Sequence, residues 1–250
     1  MNIDVAFTPA EVQALSSKVC IVVDVIRATS SLTVIMSRQP GRVILTTTIQ
    51  KATKFASQQT IHPLLCGERN GLKPEGFDFG NSPLAYSKAD LKGKNLVFTS
   101  SNGTRAIADL VMAPHVYLGC FLNASAVVEK ALQAARQNKF DILIVCSGRE
   151  EKFAIDDAYC AGYLVSQLMA AISADANFSL GDGGQASLGI YGYYRDTRKL
   201  LEMSGAGQAV MKIGLEDDLT FLMQRDFFQT VPELIKKDFP EPEAGFSILV

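Results

Sequence analysis

Five apolar runs punctuate the first 150 positions: "KVCIVVDV" at 18–25, "GRVILTTT" at 41–48, "KNLVFTS" at 94–100, "HVYLGCF" at 115–121 and "FDILIVCSG" at 140–148. They are nearly continuous rather than alternating, the pattern of strands covered on both faces in a parallel sheet. Between them the period changes. In "NASAVVEKALQAARQNK" (123–139), Ala124, Val127, Val128, Ala131, Leu132 and Ala135 form one stripe, Asn123 stands at the N-cap position, and Lys130, Arg136 and Lys139 face outward. A second long helix is predicted from about Ile155 to Ala171. Strand and helix in alternation predict a single three-layer α/β/α domain over 1–250, with a largely parallel, doubly wound-type sheet.

Two stretches depart from the alternation. Residues 66–84, "CGERNGLKPEGFDFGNSPL", combine glycine and proline with charged and aromatic residues, and read as a long functional loop. Residues 179–192, "SLGDGGQASLGIYG", are also rich in glycine but lack clustered charge, and read as a variable surface loop.

Composition narrows the class. The chain has 250 residues, 48% hydrophobic and 20% charged, with a formal charge of −2. That balance gives no basic footprint for nucleic acid and points to a small-molecule partner. No apolar run approaches the roughly 20 residues of a membrane span. The opening "MNIDVAFTPA" does not resemble a secretory signal, and the five cysteines form no CxxC pair, so the expectation is a cytoplasmic protein with buried free thiols.

Chemistry gathers where strands hand over to helices, the place where open α/β sheets bind anions. Asp24 closes the first run and is followed by Arg27, Thr29 and Ser30. A carboxylate there needs a cation, either a divalent metal or Arg27. Ser100, Ser101, Asn102, Gly103, Thr104 and Arg105 offer hydroxyls, a flexible backbone and a guanidinium fork, a cradle for an oxyanion. Ser147, Gly148 and Arg149 repeat the theme and lead to Asp156 and Asp157, a pair suited to Mg²⁺. Glu68 and Arg69, in the long loop, add a carboxylate and a fork. Four arginines beside small residues imply a ligand with more than one anionic group.

Other phosphoryl-transfer signatures are missing: neither GxxxxGK[ST] nor GxGxxG occurs. "CSGR" and "CGER" bring arginine too close to cysteine for a cysteine phosphatase. Asp24 has no aspartate two residues later, as a haloacid dehalogenase-type phosphatase would require. His62 and His115 read as structural.

Taken together, "VVDVIRATSS", "GERNGLKPEGFDFGNSPL", "TSSNGTRAI", "CFLNASAV" and "CSGREEKFAIDDAYCAG" resemble the 2-phosphosulfolactate phosphatase family in order and spacing, most densely over 18–165. "GLEDDLTFLMQRDFFQTVPEL" at 214–234 is similar to that family's C-terminal segment. The resemblance implies a Mg²⁺-dependent hydrolase that removes phosphate from (R)-2-phospho-3-sulfolactate, a step of the coenzyme M biosynthesis type. It adds Asn81 and Ser82 to the substrate-binding candidates Thr29, Ser30, Arg69, Ser100–Thr104 and Ser147–Arg149. Asp24, Arg27 and Arg105 are the catalytic candidates, and Asp24, Glu68, Asp156 and Asp157 the metal ligands. Attack by a metal-bound water and attack by Asp24 are both compatible with these residues. One departure stands out: Ala154, Ile155, Asp156 and Asp157 replace the family's usual Ser-Leu-Glu-Asp, so an acid is kept but shortened. Two further readings are a phosphatase for an ordinary phospho-hydroxy acid and a non-catalytic sensor that kept the anion cradle. The terminal "GFSILV" reads as a last strand or as an edge pairing with a second subunit in a homo-oligomer.

Overall fold

The computed structural model describes residues 1–172, 177–235 and 246–249. Among these the strands are β1 Asn2–Ala6, β2 Lys18–Val23, β3 Val43–Thr46, β4 Leu64–Gly67 and β5 Leu96–Thr99. They continue with β6 His115–Gly119, β7 Asp141–Cys146, β8 Ser179–Leu180, β9 Glu233–Ile235 and β10 Phe246–Leu249. The first five helices are α1 Ala28–Ser37, α2 Ile49–Ser57, α3 Pro83–Lys88, α4 Gly103–Asp109 and α5 Ala124–Asn138. The others are α6 Ile155–Ala171, α7 Asp182–Tyr193, α8 Thr197–Met203, α9 Gly205–Lys212 and α10 Glu216–Leu222.

The sheet order is β4-β5-β3-β10-β9-β6-β2-β7-β1-β8. It contains two parallel blocks, β4-β5-β3 and β6-β2-β7-β1-β8, and helices flank it to give the three-layer α/β/α architecture. Between the blocks, β10 pairs antiparallel with both β3 and β9, and β9 meets β6 antiparallel through the single pair Tyr117↔Glu233. The strand in "GFSILV" is thus internal, held between β3 and β9, while residues 245 and 250 lie outside the described residues.

The antiparallel steps reverse strand direction from one block to the other, and β5 and β2 are five places apart in the order. On a flat sheet that separation is about 24 Å. Yet a Cβ on Gly103, just after β5, would lie 2.6 Å from Asp24 Oδ2, just after β2. The sheet is therefore not flat between them, and the carboxyl ends of both blocks face one cleft.

The predicted packing of α5 is present: Ala124, Val127, Val128, Ala131, Leu132 and Ala135 are all buried against the sheet. Asn123 occupies the N-cap position without capping α5. Its buried amide accepts from Cys120 N–H and donates to the Leu118 and Thr230 carbonyls. Helix α6 covers the residues predicted for it and is buried on almost every side.

The reading of 179–192 as a surface loop is wrong: this segment forms β8 and most of α7. Its small residues allow close packing. A Cβ on Gly183 would lie 1.9 Å from the Val5 carbonyl oxygen, and one on Gly162 of α6 would lie 2.0 Å from that of Ser187 in α7. The glycines that weaken helix propensity here let α7 lie directly on β1 and α6, so tertiary contact overrides the local signal.

Candidate active site

A cleft of about 180 Å³ opens where β2, β4, β5 and β7 end, closed on its far side by α6 and α9. Asp24, Arg27, Glu68, Asn81, Ser101, Asn102, Ser147, Gly148, Arg149, Asp156 and Asp157 line it, as expected from the sequence. Thr29, Ser30, Arg69, Ser82, Ser100, Gly103, Thr104 and Arg105 are not among its lining residues.

Asp24 is fixed by the start of α1. Its Oδ1 accepts from Ala28 N–H at 3.1 Å, while its backbone carbonyl accepts from Thr29 N–H and from the Thr29 hydroxyl, each at 3.0 Å. Gly103 presses on its other oxygen. Burial pushes the Asp24 carboxyl up from 3.8 to about 6, against hydrogen bonding from Ala28, with the charge of Glu68 adding to the rise. Burial likewise raises Asp156 to about 7, helped by repulsion from Asp24 and opposed by Arg149 and the Ser204 hydroxyl. Asp157 is raised by burial and by the charges of Asp156 and Asp24.

Each carboxylate is held differently. Asp157 Oδ1 accepts from Val25 N–H at 2.9 Å, and its Oδ2 accepts from the Ser147 hydroxyl at 3.0 Å and Gly148 N–H at 3.1 Å. Glu68 accepts from Ser101 N–H (2.6 Å), the Ser101 hydroxyl (3.1 Å) and Gly71 N–H (2.8 Å). These two acids brace backbone. Asp24 and Asp156 line the same cleft, Asp24 held at the start of α1 and Asp156 at the start of α6. Carboxylate oxygens are hard donors suited to a divalent cation, but among the described residues no three His, Cys, Asp or Glu side chains gather closely enough to cage one.

Two matching hairpin turns shape the rim. Arg69 and Leu72 exchange backbone hydrogen bonds at 3.0 and 3.1 Å across Asn70 (φ 53°) and Gly71 (φ 80°). Arg149 and Lys152 do the same at 2.9 and 3.0 Å across Glu150 (φ 53°) and Glu151 (φ 62°). Both are two-residue turns with left-handed central residues, for which Asn-Gly is the favoured pair and Glu-Glu a strained one. The turns come from different parallel blocks, and the second reaches across to the first block where Glu150 N–H donates to Asn102 Oδ1 at 3.3 Å.

The arginines do not act as the sequence suggests. Arg69 turns away and donates to the carbonyls of Glu68 and Thr47 and to the Thr99 hydroxyl. Arg105 is exposed on the outer face of α4, because Gly103, Thr104, Ala106 and Ile107 take the inner one. Arg27 lines the cleft but its guanidinium is bonded to Asp218 and to the Gly71 carbonyl, each at 2.8 Å. Arg149 differs: it lines the cleft, and its guanidinium has no hydrogen bond or ion pair among the described residues.

The hydroxyl cradle is likewise mostly structural. Ser100 and Thr104 cap each other, with Thr104 N–H donating to the Ser100 hydroxyl at 3.0 Å and Ser100 N–H to the Thr104 hydroxyl at 3.2 Å. The Thr29 and Ser30 hydroxyls donate to backbone carbonyls. Ser82 caps α3 and donates to Asp218. Capping satisfies these groups before a ligand arrives.

Sequence reasoning missed the α9 wall of Ala206, Ala209 and Val210, since nothing about small apolar residues marks a cleft. It also missed Asp218, although a buried cation such as Arg27 calls for an acid somewhere in the chain.

Comparison with known proteins fits this geometry. A family model described as 2-phosphosulpholactate phosphatase matches residues 6–237. A probable 2-phosphosulfolactate phosphatase of Pseudothermotoga lettingae is 37% identical over 239 residues, covering 95% of this chain and 97% of the relative. Proteins of the same description from Thermotoga petrophila (35% over 244 residues; 95% and 100% covered) and Clostridium acetobutylicum (32% over 235 residues; 93% and 97% covered) are also similar. With its motifs, its strand-end cleft and relatives aligned along nearly their whole length, this chain belongs to the 2-phosphosulfolactate phosphatase family.

Proposed function

We propose that this protein hydrolyses the phosphate monoester of 2-phosphosulfolactate or a closely related 2-phospho-hydroxy acid. The observation that carries this reading is the meeting of an unpartnered Arg149 with the buried acids Asp24 and Asp156 in one cleft, in a chain of this family.

The residues divide the work. Arg149 offers a fork of donors for the phosphoryl oxygens, where charge builds during transfer. Asp157 holds the 147–148 backbone and Glu68 holds both the Ser101 backbone and the 69–72 turn; these two are positioning residues. Arg27 and Asp218 brace the same turn from behind. These groups come together from both blocks of the sheet, so that the ligand is gripped between them.

Mg²⁺ is a proposed cofactor. Asp24 and Asp156 fit it as hard carboxylate donors without an ion-pair partner among the described residues, and Mg²⁺ typically takes one or two carboxylates and completes its shell with water and phosphate oxygens. When bound it would neutralise negative charge on the transferring group. Asp24 Oδ2 remains a candidate nucleophile beside a bound phosphoryl group.

The test is phosphate release from synthetic 2-phosphosulfolactate, 2-phospholactate and 3-phosphoglycerate, with Mg²⁺ and after chelation. The expected result is Mg²⁺-dependent release, fastest from the sulfonated ester. Tight binding of the esters without release from any of them would overturn the enzymatic reading in favour of an anion sensor.

A further inference from the structure

Asn81 lines the cleft with only 4% of its surface exposed, and its Oδ1 is a buried acceptor with no hydrogen-bond partner. The backbone around it is pinned. The Tyr86 hydroxyl donates to the Gly80 carbonyl at 2.5 Å, the Ser31 hydroxyl to the Asn81 carbonyl at 3.1 Å, and the neighbouring Ser82 hydroxyl to Asp218 at 2.6 Å. Leaving such an acceptor unmet costs about 1–3 kcal/mol, so an orphan lining a binding cleft asks for a donor from the ligand.

The chemistry of the ligand narrows that donor. In the intact substrate the phosphate-ester dianion, carboxylate and sulfonate groups only accept hydrogen bonds. Hydrolysis, R–O–PO₃²⁻ + H₂O → R–OH + HPO₄²⁻, breaks the ester P–O bond and places one new O–H on the carbon that carried the phosphate. We propose that Asn81 Oδ1 accepts from this hydroxyl, which makes Asn81 the residue that recognises the released 2-hydroxy acid. The inference rests on the phosphatase reading for the origin of the hydroxyl. The intact ester has no proton at that oxygen, so the contact discriminates product alcohol from ester and from acids that lack the hydroxyl.

The test pairs the side chain with the ligand group. Calorimetric binding of 3-sulfolactate and its deoxy counterpart 3-sulfopropanoate is compared in the unaltered protein, Asn81→Leu and Asn81→Asp. The unaltered protein is expected to prefer the hydroxy acid about tenfold, the worth of one hydrogen bond. Asn81→Leu should bring the ratio to about one. Asn81→Asp keeps an acceptor and should keep the preference, although its negative charge weakens both ligands. A ratio unchanged in Asn81→Leu, or no preference in the unaltered protein, means that Oδ1 is met by water only and overturns the inference. Phosphate release is scored separately: release with an unchanged ratio sinks this inference alone, whereas an Asn81-dependent preference without release sinks the phosphatase reading alone.

Discussion

Arg27 Nη1 lies 2.8 Å from Asp218 Oδ2, and each side chain is 2% exposed. The pair ties the end of β2 to α10, and Arg27 also holds the Gly71 carbonyl while Ser82 holds the second Asp218 oxygen. Asp218→Ala would strand a buried guanidinium and is expected to cost about 3–5 kcal/mol of stability in urea unfolding. The double variant Arg27→Met, Asp218→Leu should recover most of that loss. A single variant as stable as the parent would show that the pair does not brace the cleft.

Stability should fall with rising pH. Asp24 and Asp156 are raised from 3.8 to about 6 and about 7, so the folded protein binds more protons than the unfolded chain across that interval. Stability is therefore lost as pH climbs from about 4 to 7, on the order of 3 kcal/mol from Asp24 alone. The thermal midpoint, measured without metal at pH 5 and pH 8, is expected to be higher at pH 5, and Mg²⁺ should narrow the gap by compensating the charge at pH 8. Equal midpoints in the absence of metal would contradict the burial described for these acids.

The arginines should separate in kinetics. Arg149→Ala removes a fork left without a hydrogen-bond partner among the described residues and is expected to lower kcat/KM by about 10²–10³, comparable to losing an oxyanion donor. Arg149→Lys keeps the charge but not the fork and should recover only part of it. Arg105→Ala, on the outer face of α4, should stay within about threefold. The reverse order would restore the role that the sequence alone suggests for Arg105.

Glu150 and Glu151 sit in the left-handed region where their counterparts are Asn70 and Gly71. Exchanging them for Asn-Gly should relieve strain and raise stability by about 1 kcal/mol, after the entropy lost to the added glycine. Urea denaturation would reveal it; a destabilised variant would mean that the glutamates make contacts worth more than the strain.

Of the parallel strands, β2, β3, β5, β6 and β7 were legible and β1 and β4 were not, because only a strand covered on both faces must be apolar throughout, as in the fully buried Val19–Val23 of β2. Short or half-covered strands such as β8 and β9 carry no such run. The acids Asp24, Glu68, Asp156 and Asp157 were found because a strand end fixes where its next side chain begins. Arg69 and Arg105 misled because sequence places a long side chain near a cleft without saying which way it turns. That choice is made by neighbours: Thr47, Thr99 and the Glu68 carbonyl for Arg69, and the burial of Gly103 and Thr104 for Arg105. The glycines of α7 misled for the opposite reason, the value of Gly183 lying in a contact with β1 that is remote in sequence.

The weld between the two blocks bears on how the protein is made. Every cleft-lining residue, up to Val210, leaves the ribosome before β9 and β10, the strands that join β3 to β6. Each parallel block has its own contiguous pairing and can begin to form during synthesis. The grip between them waits for the last strand. Substrate-binding competence in a nascent chain should thus arrive late and abruptly, with the emergence of Phe246–Leu249, rather than grow in proportion to chain length.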